Sequence, residues 1–301
     1  MGPKRWKFWA DNRASHMADS PTPVPQPSAA PVPSNPSWDR VQLARHPKRP
    51  HAIDYIQRLF TEFHELHGDR RFADDKAIVA GMGWFEERPV MVIAQEKGRD
   101  TKQKLMRNWG MPKPEGYRKA MRLMELAAKF GRPVITLLDT MGAYPGLDAE
   151  ERGQAEAIAY NLREMSRLAV PVICVVIGEG GSGGALGVAV GNRIYMMENA
   201  WYSVISPESC AAIIYRDSAR APEAAAALKI TATDLKGLGL IDEIIPEPGE
   251  GAHTDPDASA EAVRVVLRQG LAELTAMTPR QLIDDRYEKF RQMGSFFSEG
   301  L

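Results

Sequence analysis

Two cysteines in 301 residues, Cys174 and Cys210, are too few for a disulfide framework, and no Cys-x-x-Cys pair offers half of a zinc ribbon. Long hydrophobic runs are missing too. The longest, Ala169 to Ile177, is nine residues, about half of the ~18 to 20 that a membrane-spanning helix needs. Nor does one sign of charge dominate: 38 basic and 39 acidic side chains leave a net charge of −1, so the whole chain exerts little pull on a polyanion. Together these absences exclude a disulfide-stapled fold and a helical membrane protein. The expectation is a soluble, cytoplasmic α/β protein with no membrane partner and no metal in this chain.

The balanced charge hides an asymmetry, because residues 1–50 hold eight basic groups against three acidic ones. From Pro21 to Pro36 seven of sixteen residues are proline, which favours extended chain and cannot build a packed core. Before it, Ala14-Ser15-His16-Met17 reads as a cloning scar. A native reading competes, in which Trp6, Phe8 and Trp9 among lysines touch a membrane surface or a partner. Residues 1–37 are expected to be a disordered Pro-rich tail, and residues 38–295 a single domain.

Past Trp38 the pattern turns α/β. Ile53, Ile56, Leu59, Phe60, Phe63 and Leu66 fall at helical spacing across His51–His67, with Gly68 placed as a C-cap. Three Val/Ile-rich runs follow, each introduced by Pro-Val at Pro89, Pro133 and Pro171. Such runs suit strands buried on both faces, and proline at the first position removes no interior ladder bond. The last two runs repeat. A shift of 38 residues lays Pro133-Val-Ile on Pro171-Val-Ile, Phe130 on Leu168 and Gly142 on Gly180. Each unit is a helix, a proline, a buried strand and a glycine-rich loop.

Loops at the carboxyl ends of buried parallel strands converge on one crevice. Here they are Thr140-Met-Gly-Ala-Tyr-Pro-Gly146 and Gly178-Glu-Gly-Gly-Ser-Gly-Gly184. Glycines at a strand-to-helix junction let backbone N–H groups approach a ligand, either as a phosphate cradle or as an oxyanion hole. Gly178-x-Gly180-x-x-Gly183 also fits a dinucleotide fingerprint, with Glu198 downstream; no Lys-Ser/Thr follows Gly184, so a Walker A loop is excluded. Gly-x-Ser-x-Gly around Ser182 would suit a nucleophile, but the only later histidine is His253, in a polar segment. A tight junction with close helix–sheet packing accounts for the same glycines. The motif alone does not choose among these readings.

Gln95 to Arg122 holds nine basic residues against three acidic. That stripe suits a multiply charged anion near the crevice, a solvated surface being the competing reading. One stripe in a nearly neutral chain speaks against nucleic acid.

Longer motifs carry a resemblance. Leu43-Ala-Arg-His-Pro-Lys-Arg-Pro50, Gly68-Asp-Arg70, Asn108-Trp-Gly-Met-Pro-Lys-Pro-Glu-Gly-Tyr-Arg-Lys-Ala120, Gly142-Ala-Tyr-Pro-Gly146, Val204-Ile-Ser-Pro-Glu208 and Leu240-Ile-Asp-Glu-Ile-Ile-Pro-Glu-Pro248 stand in the order found in one family. From about Trp38 to Phe290 the chain resembles the bacterial acetyl-CoA carboxylase carboxyltransferase α subunit. The resemblance implies a crotonase-like fold of repeated ββα units. It also implies carboxyl transfer from carboxybiotin, on a biotin carboxyl carrier protein charged by biotin carboxylase, to acetyl-CoA, giving malonyl-CoA for fatty acid synthesis. The implied partner is a zinc-ribbon β subunit in an α2β2 heterotetramer.

Carried onto this sequence, the family's oxyanion hole falls on the backbone N–H groups of Gly183 and Gly184, where it steadies charge on the biotin ureido oxygen. Gly142, Gly180 and Gly181 are assigned to shaping the pocket. Lys97 and Arg99 are an electrostatic assignment for the anionic groups of substrate and not a family one. The chain departs from the family at Met141, where proline is usual, and at Ser209, where glycine is common. It also has the proline-rich tail in place of a helical amino-terminal arm. A stand-alone crotonase-type acyl-CoA hydratase, isomerase or hydrolase is the alternative, set apart by activity without a partner.

Overall fold

The computed structural model describes residues 35–294. The tail as far as residue 34, including Trp6, Phe8, Trp9 and the Ala14–Met17 stretch, lies outside the described residues. Asn35 accepts the Trp38 N–H through its side chain and caps the helix Pro36–Ala44, whose first turn carries the proline. The described fold therefore starts before residue 38.

One mixed sheet organises the domain. Its strands are β1 (Thr61–Glu65), β2 (Ile78–Phe85), β3 (Arg88–Gln95), β4 (Val134–Thr140), β5 (Val172–Gly181), β6 (Arg193–Met197), β7 (Trp201–Ser203) and β8 (Glu243–Ile245). The order is β1-β2-β3-β4-β5-β6-β8, with β7 alongside the end of β5. β1, β2 and β3 are antiparallel neighbours, and from β3 to β8 every pairing is parallel. All three Pro-Val runs are strands. β4 and β5 are buried along their whole length, as a sheet covered by helices demands of unbroken apolar runs. The Pro133 and Pro171 carbonyls still accept from Met91 and Val134, so the prolines forfeit only the donor they lack.

Parallel strands need crossover connections, and helices Pro114–Lys129 and Gln154–Met165 supply them before β4 and β5. The two pack on each other, as do helices Ala52–Leu59 and Pro256–Thr275. The repeat is visible in the ladder. Val134 faces Val172, Ile135 faces Ile173 and Leu138 faces Val176, the same 38-residue shift as in the sequence.

One expectation is corrected. The helical spacing over His51–His67 is used only as far as Leu59; Phe60 is extended, and Thr61–Glu65 becomes β1 on the edge of β2. Phe60, just before this strand, and Phe63 within it pack toward the core. Ladder bonds from β2 outweigh a weak local helix preference. Gly68 consequently caps nothing, and sits in a turn whose N–H reaches Asp74. Among the described residues no helix is long and apolar enough to cross a membrane.

Candidate active site

The two glycine loops meet backbone to backbone. After β4 the Thr140 hydroxyl donates to the Gly142 carbonyl at 2.7 Å and accepts the Gly142 N–H at 3.1 Å, which folds the loop tightly. Farther on, Gln154 holds the Tyr144 and Pro112 carbonyls. β5 runs through Gly180 and Gly181 into the short helix Ser182–Leu186. Ser182 turns the chain there with φ of 56°, a left-handed conformation that costs a non-glycine residue about 1 kcal/mol. A Cβ on Gly181 would lie 2.0 Å from the Met141 carbonyl oxygen, and one on Gly184 would lie 2.1 Å from the Gly142 carbonyl carbon. Only glycine permits that contact.

Gly184 is also fixed from behind. Its carbonyl accepts from the Gln95 amide at 2.8 Å and from the Tyr117 hydroxyl at 3.1 Å, both fully buried. Gln95 further accepts the Asp139 N–H, tying the same amide to the end of β4. Gly183 and Gly184 lie in the first helical turn, whose N–H groups have no intrahelical acceptor. Five residues make little macrodipole, so these donors act locally. Beside Ser182 and Gly183 opens an apolar cavity of about 380 Å³, walled by Leu186, Tyr202, Leu235 and Phe290. The arrangement offers an apolar ring a wall at Ser182 and Gly183, next to the first turn of that helix.

Of the residues singled out in the sequence, Gly142, Gly180, Gly181, Gly183 and Gly184 come together. Lys97 and Arg99 do not join them at the cavity. The Lys97 side chain, 14% exposed, lies between Asp139 at 2.7 Å and Glu179 at 2.5 Å. Arg99 is half exposed and pairs with Asp54. Much of the basic stripe is shared in the same way: Lys113 with Asp148, Arg118 with Asp69, and Lys119 with Asp74. These three pairs tie neighbouring loops to helix Pro114–Lys129 and its first turn.

Arg45 extends the ion cluster, meeting Glu179 at 2.6 Å and, beyond it, Glu208. Burial alone would raise the Glu179 carboxyl, but the charges of Lys97 and Arg45 and their hydrogen bonds hold it below its ordinary value. Burial would likewise lower Lys97, and Asp139 and Glu179 reverse the direction. Sequence reading missed Asp139, Glu179, Arg45, Gln95 and Tyr117. One signal was available: a carboxylate ends each of two Val/Ile/Leu-rich runs, in Leu138-Asp139 and in Gly178-Glu179.

The nucleophile reading finds no support. The His253 ring stacks on His46 at 3.8 Å, and among the described residues no base is hydrogen-bonded to the Ser182 hydroxyl. Glu198, the acidic residue of the dinucleotide reading, pairs with Arg40. No group of metal-binding side chains occurs among the described residues.

Comparison with known proteins follows the same lines. Residues 34–294 match the family model described as acetyl co-enzyme A carboxylase carboxyltransferase-like. The acetyl-coenzyme A carboxylase carboxyl transferase subunit alpha of Oceanobacillus iheyensis is 58% identical over 261 residues, 87% of this chain and 82% of the relative. That of Geobacillus kaustophilus is 60% identical over 264 residues, 87% of this chain and 81% of the relative. Among solved structures, transcarboxylase 12S aligns with a TM-score of 0.63 at 18% identity, covering 91% of this chain and 48% of that one. A Pseudomonas malonate decarboxylase hetero-tetramer aligns at 0.59 and 18% identity, covering 72% and 86%. At such identities the structures speak for the fold alone.

Proposed function

The chain belongs to the acetyl-CoA carboxylase carboxyltransferase α-subunit family, and from that premise we propose that the N–H groups of Gly183 and Gly184 are its oxyanion hole. Its function is that of one subunit of a biotin-dependent transferase, passing a carboxyl group from carboxybiotin to acetyl-CoA to give malonyl-CoA for fatty acid synthesis. The fold is the crotonase-like one of its structural neighbours.

The observation that carries the site assignment is the backbone contact between the two loops, which sets Gly184 against Gly142 and leaves Gly183 in the wall of an apolar cavity. Biotin suits such a place, having an apolar ring face and a polar ureido edge; when bound it supplies the carboxyl group. The chain's own contribution is electrostatic. Donors fixed beforehand where negative charge grows favour the transition state over the ground state, each by about 10²- to 10³-fold. Gln95 and Tyr117 hold the Gly184 carbonyl, in the peptide that follows the donor, and so anchor the start of the helix from its buried side. Gly142, Gly180 and Gly181 shape the mouth. No side chain of this subunit needs to move a proton on this reading.

We assign the other half of the site, which holds acetyl-CoA, to a carboxyltransferase β subunit bearing a zinc ribbon, in an α2β2 assembly in the cytoplasm. A biotin carboxyl carrier protein and biotin carboxylase deliver the charged cofactor. The test is carboxyl transfer from free carboxybiotin to acetyl-CoA, with this chain alone and then with its β subunit. Activity only in the mixture is expected. Activity of the chain alone would overturn the half-site reading.

A further inference from the structure

The two repeats pair with a constant shift until they reach the site, and there the shift changes. Leu138 faces Val176, but the next pair is Thr140 with Gly180. One β4 residue, Asp139, thus stands against three of β5: Ile177, Gly178 and Glu179. The widening is built by side chains. The Asp139 carboxylate accepts the Glu179 N–H at 2.9 Å in place of a ladder carbonyl. Gly178 must be glycine, since a Cβ there would lie 2.4 Å from that carboxylate. Beyond the widening Gly180 still pairs with Thr140 of β4, while on its other edge β5 passes from β6 to β7, Gly180 facing Tyr202 and Gly181 facing Ser203. Such bulges re-aim the chain that follows them.

Two buried carboxylates held this close repel unless a cation lies between them. Lys97 is that cation, reaching both from the end of β3, and Arg45 takes the outer oxygen of Glu179. We infer that Lys97 is a positioning residue for carboxyl transfer: by bridging Asp139 and Glu179 it holds the β5 widening that sets the course of the chain into Gly183 and Gly184. This rests on the oxyanion reading of those two N–H groups. Lys97 touches no substrate on this account and acts through the main chain.

The test uses the assembled complex with Lys97→Met, read by amide hydrogen exchange and by steady-state kinetics. Amides of residues 178–184 are expected to exchange at least about tenfold faster, with those of residues 135–138 unchanged. kcat is expected to fall about 10- to 100-fold, the range for a small misplacement, with KM for acetyl-CoA unchanged. The acid limb of the kcat profile is expected to move to higher pH, because Glu179 loses the cation that keeps it ionised. Adding Glu179→Gln to Lys97→Met removes the orphaned carboxylate and is expected to restore part of kcat. Unchanged exchange at 178–184, or a loss confined to stability and complex yield, would overturn the inference. Gly184→Ala run alongside separates the two failures: it keeps the N–H but displaces the facing loop, so if it keeps kcat the oxyanion reading loses the loop contact that carries it. If Lys97→Met does not fold, Arg45→Met at the more open end of the cluster takes its place. The same pattern is expected there, and its absence is equally fatal.

Discussion

The two repeats of this fold are close copies that end differently. Along their strands they pair residue for residue at a shift of 38. At the amino ends they already diverge in how they enter the strand. The first helix closes with Gly131 at φ of 63°, its N–H and that of Arg132 returning to Ala128 and Ala127, which satisfies the last carbonyls by main chain alone. The second has no glycine there. Instead the guanidinium of the buried Arg286 takes the carbonyls of Met165, Leu168 and Val170. At the carboxyl ends the divergence is larger: the first loop is a Thr140-clasped turn, and the second is widened around Asp139 and carries the proposed donors. The proposed site sits where the repeat stops repeating.

The contrast is broken most severely at Gly184. Gly184→Ala pushes the Gly142–Ala143 backbone away and is expected to lower kcat/KM of the complex by about 10²- to 10³-fold. Gly183→Ala, where the nearest foreign atom to a new Cβ is Ile158 at 3.9 Å, leaves the loops in contact and should cost far less. Equal losses would mean that loop contact is not what matters.

Arg286→Met tests the other end. It strips partners from three buried carbonyls and should cost about 3 kcal/mol in denaturation of the chain, while kcat per folded molecule holds. A kcat loss would show that the strand entry also governs the site.

A third contrast lies in carboxyls of opposite character. Burial pushes Asp75, which accepts the Lys113 N–H at the start of the first repeat's helix, up to about 6. The native state then holds that proton more tightly than the unfolded chain, so stability falls as pH rises from about 4 through 6. Glu179 is shifted down, so its contribution is present above the ordinary carboxylate value and lost as pH falls below it. Melting temperatures of Asp75→Asn against pH should lack the decline between pH 4 and 6; an unaltered curve would reject this account of Asp75. The smallest effect belongs to Ser182→Ala, expected to leave kcat within about twofold because backbone donors face the charge. Loss of activity there would revive the hydroxyl as nucleophile.

Much of this architecture is legible in sequence for a physical reason. Strands buried on both faces are apolar along most of their length, so β4, β5 and the 38-residue repeat stand out, and glycine mandatory at close contacts marks both loops. β1 is not legible, because its ladder partner lies across a loop and helical spacing continues into it. The ion cluster is hidden for a related reason. Arg45, Lys97, Asp139, Glu179 and Glu208 are far apart along the chain, and charge counted locally assigned Lys97 to substrate when its partners came from other strands.

Reliance on main-chain donors has a consequence for resistance. An inhibitor whose acceptor oxygen rested on the Gly183 and Gly184 N–H groups would contact atoms that every residue possesses, so no codon change removes the contact itself. At Gly184 nearly any replacement collides with the facing loop before it can exclude the compound. Escape would have to come from the surrounding walls, at Ser182, Leu186 or Tyr202, and those positions are where selection under such a compound should first be sequenced.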